Sequence, residues 1–214
     1  TLDGSEPSLN SPAYSQPIPI SSRIGQPNIL SAINTTSPIW RQPLNEVFKA
    51  TVVRAALFHP DGSRSAAVTH TFFVDENMPS RYSLPLVSIV TDPDNLFDYD
   101  QGIYVMGRVW DETYDPAIYP TFWQPANYNQ RGAEWERPVH FEFFEPTGER
   151  ILAQDSGMRI HGGTTRSYPQ KTLRLYADEQ YGQSDLFLAN LFPGLSDTAH
   201  EQPIMAFKTL LLRN

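Results

Sequence analysis

The densest chemistry in the chain lies in the stretch GMRIHGGTTRSYPQKTLRLYA, residues 157–177, where two glycines, two threonines, Arg166 and Lys171 fall between two alternating runs. Phosphate is held by backbone N–H groups that small residues let approach closely, by hydroxyl donors and by fixed positive charge. Gly162, Gly163, Thr164, Thr165 and Arg166 offer all three within five residues. In KTLRLYA, period-2 alternation puts Lys171 on one strand face with Leu173 and Leu175, while Thr172, Arg174 and Tyr176 point away. His161 alternates with Arg159, so it reads either as a ligand contact or as a structural hydrogen-bonding histidine. A plainer reading of the same stretch is a hairpin with a polar Gly-Gly tip and a lysine at a solvated strand edge.

A second cluster, DPDNLFDYDQG, sets Asp92, Asp94, Asp98 and Asp100 in one short segment. Oxygen ligation of calcium and simple capping or turn formation both fit it, although the spacing is not that of an EF-hand. No H-x-x-x-H or H-E-x-x-H pattern points to zinc, and no G-x-S-x-G elbow points to a serine hydrolase. The aromatics Trp110, Tyr114, Tyr119, Trp123 and Tyr128 either stack on sugars or pack over a core.

The elements that must position these residues are short strands and turns. Nineteen prolines, with Asp-Gly, Pro-Asp and Pro-Gly pairs, favour β structure with irregular connections, and no long amphipathic helix is evident. FKATVVRAALFHPDGSRSAAVTHTFFV reads as a hairpin turning at HPDGS. AYSQPIPI suggests a short strand, and residues 21–45 form an irregular insertion. Asp75–Ser83 is the expected boundary between two units. Beyond it, residues 84–92, 102–107, 137–146 and the run from 148 onward read as strands, with residues 108–132 an ordered loop.

The formal net charge of −8 and a pI near 5.0 exclude the basic surface that nucleic-acid backbone binding requires. Only Lys49, Lys171 and Lys208 are lysines, which gives Lys171 weight, and the absence of cysteine excludes disulfides, thiolate metal sites and a cysteine nucleophile. No apolar run approaches the roughly 20 residues that span a bilayer. The chain starts at Thr1 without methionine and stops just after the strand-like AFKTLLLRN, so both ends read as interior to a longer protein.

Two resemblances follow from these motifs. TLDGSEPS, AYSQPIPI and TVVRAALFHPDGSRSAAVTHTFFV, residues 1–75, resemble the small β-sandwich at the C-terminus of chitobiase and related β-hexosaminidases, which implies an accessory module. Residues 84–214 carry LPLVSIVTDPDNLFDYDQGIYVMG, WERPVHFEFFEPTGE, GMRIHGGTTRSYPQKTLRLYADEQYG and FKTLLLRN in order, and resemble the CotH family of spore-coat proteins with an atypical protein-kinase-like fold. The family signature is matched at Gly157, Arg159, Gly162, Thr164, Thr165, Arg166, Pro169 and Lys171, with Gly163 replacing the usual asparagine.

The likeness implies a β-rich chain, mainly β to α+β, with a small sandwich followed by the N-terminal portion of a kinase-like domain. It implies ATP-dependent phosphorylation of protein serines outside the cell or on its surface. Lys171, Arg166 and Arg159 would contact ATP phosphates, and Gly162, Gly163, Thr164 and Thr165 would form the covering loop. Aspartates for Mg²⁺ are expected beyond residue 214, so these residues alone are expected to be inactive. The competing expectation is a non-catalytic surface module that contacts carbohydrate or envelope proteins. A Lys171 that only touches ligand would be replaced by alanine at a cost within about 0.5 kcal/mol.

Overall fold

Alternation in the second half of the chain produces one dominant sheet. The computed structural model describes residues 1–182 and 184–213. Its strands are β1 (Thr51–Ala55), β2 (Val68–Phe72), β3 (Leu86–Val90), β4 (Arg137–Phe144), β5 (Arg150–His161), β6 (Thr172–Tyr176), β7 (Phe187–Leu188), β8 (Ser196–Asp197), β9 (Gln202–Pro203), β10 (Ala206–Phe207) and β11 (Thr209–Leu212). Five of them form an antiparallel sheet in the order β11-β6-β5-β4-β3. Three short helices, α1 (Met78–Arg81), α2 (Pro93–Phe97) and α3 (Gly107–Thr113), lie in the connections, so the chain is β-rich as its turn-laden sequence leads one to expect.

The sheet's two faces have different fates. One face carries Ile89, Val139, Phe141, Met158, Ile160, Leu175 and Leu210, which form the core with Phe187 and Leu191 from the later loops. The other face is covered at its β3–β4 end by the β1–β2 hairpin. Thr71 Oγ1 and Ser88 Oγ share a hydrogen bond of 2.7 Å, Phe73 meets Phe144 edge-on at 5.2 Å, and buried Glu142 accepts from Arg150 at 2.6 Å beside His70. The expected accessory module therefore contributes one layer of a two-layer stack whose other layer is the main sheet. The β5–β6–β11 end of this face lies beyond the hairpin.

Two expected strands are absent, for identifiable reasons. Within AYSQPIPI, Pro17 and Pro19 have no N–H to donate to a ladder, and the segment runs without strand structure. In GIYVMG the apolar alternation is real, since Ile103 and Val105 are buried, but the amides go elsewhere. Ile103 and Tyr104 donate to the carbonyls of Asn95 and Leu96 in α2, and Met106 donates to Thr35. A Cβ on Gly102 would lie 2.4 Å from the Asp98 carbonyl oxygen, and Gly107 sits at φ +59°, so both glycines serve this tight wrapping and not a strand.

Candidate phosphate-binding loop

The connection between β5 and β6 starts at Gly162, whose φ of +117° favours glycine and whose missing Cβ leaves room for Thr165 Oγ1. Thr164–Ser167 then form a single 3₁₀ turn, with the Ser167 hydroxyl donating to the Thr164 carbonyl at 2.7 Å. Arg166 is buried under this turn. Its Nε donates to the Gly162 carbonyl at 2.8 Å, and its Nη1 donates to the carbonyls of Tyr128 and Gln130 at 3.0 and 3.1 Å. Arg166 thus ties the loop to the segment before β4, and burial, followed by the charge of Arg131, pushes its guanidinium down to about 10.

Lys171 lies on the core face, where alternation placed it, and is 5% exposed. Its ammonium donates to three main-chain carbonyls: Arg166 at 2.7 Å, Tyr168 at 2.8 Å and Thr36 at 2.8 Å. The rings of Tyr128 and Tyr104 flank it, with centroids 4.2 and 5.0 Å from Nζ. Three donors and three acceptors leave no proton for a ligand. Burial pushes the ammonium down to about 7. Ser37 adds a second tie from the irregular insertion, donating from Oγ to the Ser167 carbonyl at 2.6 Å.

Two of the three cations expected to touch phosphate, Lys171 and Arg166, therefore shape the loop from beneath. What the loop turns outward is its leading edge. Gly163 and Thr165 are exposed, and among the described residues the amides of Gly163, Thr164 and Thr165 and both threonine hydroxyls make no hydrogen bond. Arg131 reaches the same corner, donating to the Gly162 carbonyl at 3.2 Å. Beside Lys171, a shallow cleft of about 270 Å³ is lined by Tyr104, Gln170, Leu173, Leu212 and Arg213.

Arg159 is on the opposite sheet face from Lys171. Its Nε donates to Glu136 at 2.6 Å, and its guanidinium lies 4.3 Å from the centre of the Tyr176 ring. His161 shares that face and stays below its ordinary pKa because of burial first and then the charges of Arg174, Arg166, Arg213 and Arg131. The seven expected site residues thus divide into a buried clasp (Lys171, Arg166), a loop (Gly162, Gly163, Thr164, Thr165) and one residue across the sheet (Arg159).

Sequence reasoning missed Thr36, Ser37 and Tyr104 as parts of the clasp; it left Tyr128 between sugar stacking and core packing, and the structure buries that ring against Lys171. It also missed Arg131 and Arg213. Arg174 was legible, because it alternates on the same face as Tyr176.

The acidic segment behaves as a cap. Asp92 accepts from the amide of Asp94 at the start of α2 and from that of Glu6, both at 3.0 Å, and Asp98 accepts from the amides of Asp100 and Gln101 at 2.9 Å. Among the described residues no group of three or more His, Asp or Glu side chains could hold a metal ion. Of the loop aromatics, Tyr128 is buried beneath the loop, whereas Trp123 is 65% exposed. An apolar cavity of about 770 Å³, lined in part by Ile33, Trp40, Phe97, Tyr104 and Tyr168, opens beside the loop. No helix is long and apolar enough to cross a membrane among the described residues.

Comparison with known proteins adds one finding about the first third of the chain: a family described as Fn3 associated matches residues 1–72. That span coincides with the expected accessory module, under a different family from the chitobiase likeness. No curated protein and no solved structure matches the chain.

Proposed function

We propose that residues 84–214 are the loop-bearing lobe of a CotH-like, ATP-dependent protein serine kinase that works outside the cell or on its surface. The observation that supports this reading is the β5–β6 loop: it is fixed from beneath by two buried cations while its outward amides and hydroxyls stay available. Preorganised donors of this kind suit phosphoryl oxygens, because they need no reorganisation when charge arrives. On this reading Gly163, Thr164 and Thr165 contact phosphate directly, while Lys171 and Arg166 are positioning residues. ATP would supply the transferable phosphoryl group. Such transfer also requires Mg²⁺, and among the described residues no group of three or more His, Asp or Glu side chains is placed to hold one.

Titration calorimetry of ATP against wild type and Thr164→Ala/Thr165→Ala tests this assignment. Binding that weakens in a variant of unchanged thermal midpoint supports it. Equal binding by both proteins, or none by either, overturns it.

A second reading is favoured by the aromatic-lined cavity: a non-catalytic module that holds carbohydrate at Trp40 and Tyr168. Retention on insoluble polysaccharide that Trp40→Ala abolishes, with no effect of nucleotide, would establish it.

A further inference from the structure

The half of the sheet's outer face beyond the hairpin carries a cluster of arginines around His161. From β5 come Arg159 and His161, from β6 Arg174 and Tyr176, and from β11 Leu211, with Arg213 following; the ladders set Arg159 opposite Arg174 and Arg174 opposite Leu211. Arg131 adds its charge from the loop before β4. The chain has 24 acidic and 16 basic residues, 13 of the latter arginines, and six of those arginines are neutralised. Arg54, Arg64, Arg81, Arg108, Arg150 and Arg159 each pair with a carboxylate. Arg131, Arg174 and Arg213 have no carboxylate partner among the described residues; Arg23, Arg137 and Arg166, likewise without one, are taken up by main-chain carbonyls elsewhere. Arg131, Arg174 and Arg213 are close enough together for all three charges to act on His161, which gives this corner a local positive potential against the chain's net charge.

The form of the surface narrows what could bind it. It is a pleated strand surface and not a hollow, so a small free anion would be held from one side only. Tyr176 lies beneath both Arg159 and Arg174, with centroid distances of 4.3 and 5.4 Å, which holds the guanidiniums flat against the sheet. Leu211 is 40% exposed beside them. β11 is the edge strand, so its outer main-chain groups face no further strand of the sheet among the described residues. Arg213 lies two residues beyond Leu211, which is opposite Arg174, so the two guanidiniums are offset along the strands by about the 7 Å that separates alternate side chains of an extended segment.

We propose that this face binds an extended acidic peptide segment laid along β11, its alternate carboxylates meeting Arg174 and Arg213 and its backbone adding to the sheet edge. The proposal stands apart from the kinase reading and needs no nucleotide. Its test is fluorescence anisotropy with a labelled peptide of alternating glutamate and serine, against a control of alternating glutamine and serine, at about 50 and about 200 mM salt.

The expected result is binding of the glutamate peptide alone, weakened by salt and weakened roughly tenfold or more by Arg174→Glu/Arg213→Glu. Wild-type amide shifts on adding peptide should centre on β11 and β6, a readout that holds even where the charge-reversed variant fails to fold. No binding of the glutamate peptide, equal binding by wild type and folded variant, or shifts centred away from these strands would overturn the proposal. Inorganic tripolyphosphate binding without peptide binding would also overturn it.

Discussion

At the residue scale, Lys171 shows how a buried cation can be mistaken for a ligand contact. Its three protons are matched by the carbonyls of Thr36, Arg166 and Tyr168, so Lys171→Ala removes a charged donor and leaves three polar acceptors buried. Hydrogen bonds to charged groups contribute about 1.5–3 kcal/mol each, and leaving buried partners unsatisfied is costly, so the variant should lose roughly 3 kcal/mol or more in urea unfolding. A loss within about 0.5 kcal/mol would instead mark a solvated side chain.

The same group makes stability depend on pH. Its folded pKa is near 7 and its unfolded value 10.5. Between those values the unfolded chain holds a proton that the folded chain has released, so this group's contribution to stability rises with pH across the window and is flat below it. Urea unfolding at about pH 6 and about pH 9 should show that rise in wild type relative to Lys171→Met. A fall over the same interval would mean that the carbonyls and the two tyrosine rings outweigh desolvation.

At the scale of elements, the β5–β6 loop depends on Gly162. Alanine there would be strained at φ +117° and would meet Thr165 Oγ1, which lies 2.5 Å from the added carbon. Gly162→Ala should cost roughly 1–3 kcal/mol in thermal unfolding, and Gly163→Ala much less, because nothing lies within 4 Å of its added carbon. Equal losses at both positions would contradict this account of the turn.

The strands around this loop were legible because period-2 alternation is a local signal: β3, β4, β5 and β6 lie where alternation predicts them. GIYVMG was not, because its alternation is satisfied by burial over α2 while its hydrogen bonds are made with helix and loop carbonyls. The face of Lys171 was equally readable. Its partners were not, since Thr36 stands 135 residues away in a segment with no repeat.

At the scale of the whole molecule, one sheet presents two different surfaces. The core face holds Lys171 and anchors the loop; the outer face is divided between the hairpin layer and the exposed arginines. Residues 1–72, matched by the Fn3-associated family, are joined to the sheet through the Thr71–Ser88 and Glu142–Arg150–His70 contacts and to the loop through Thr36 and Ser37. The first part of the chain thus helps to hold the loop that the second part displays.

The central claim is that this loop holds the phosphates of ATP for transfer to a protein serine, and phosphate transfer tests it most directly. The measurement is incorporation of label from γ-labelled ATP with Mg²⁺ into candidate protein substrates by the longest natural form of the chain, beside its Thr164→Ala/Thr165→Ala variant. The account predicts label with the wild type and its loss in a folded variant. Transfer that is undiminished in the variant, or absent from the wild type across metals and substrates, would contradict it and leave the carbohydrate-binding reading in its place.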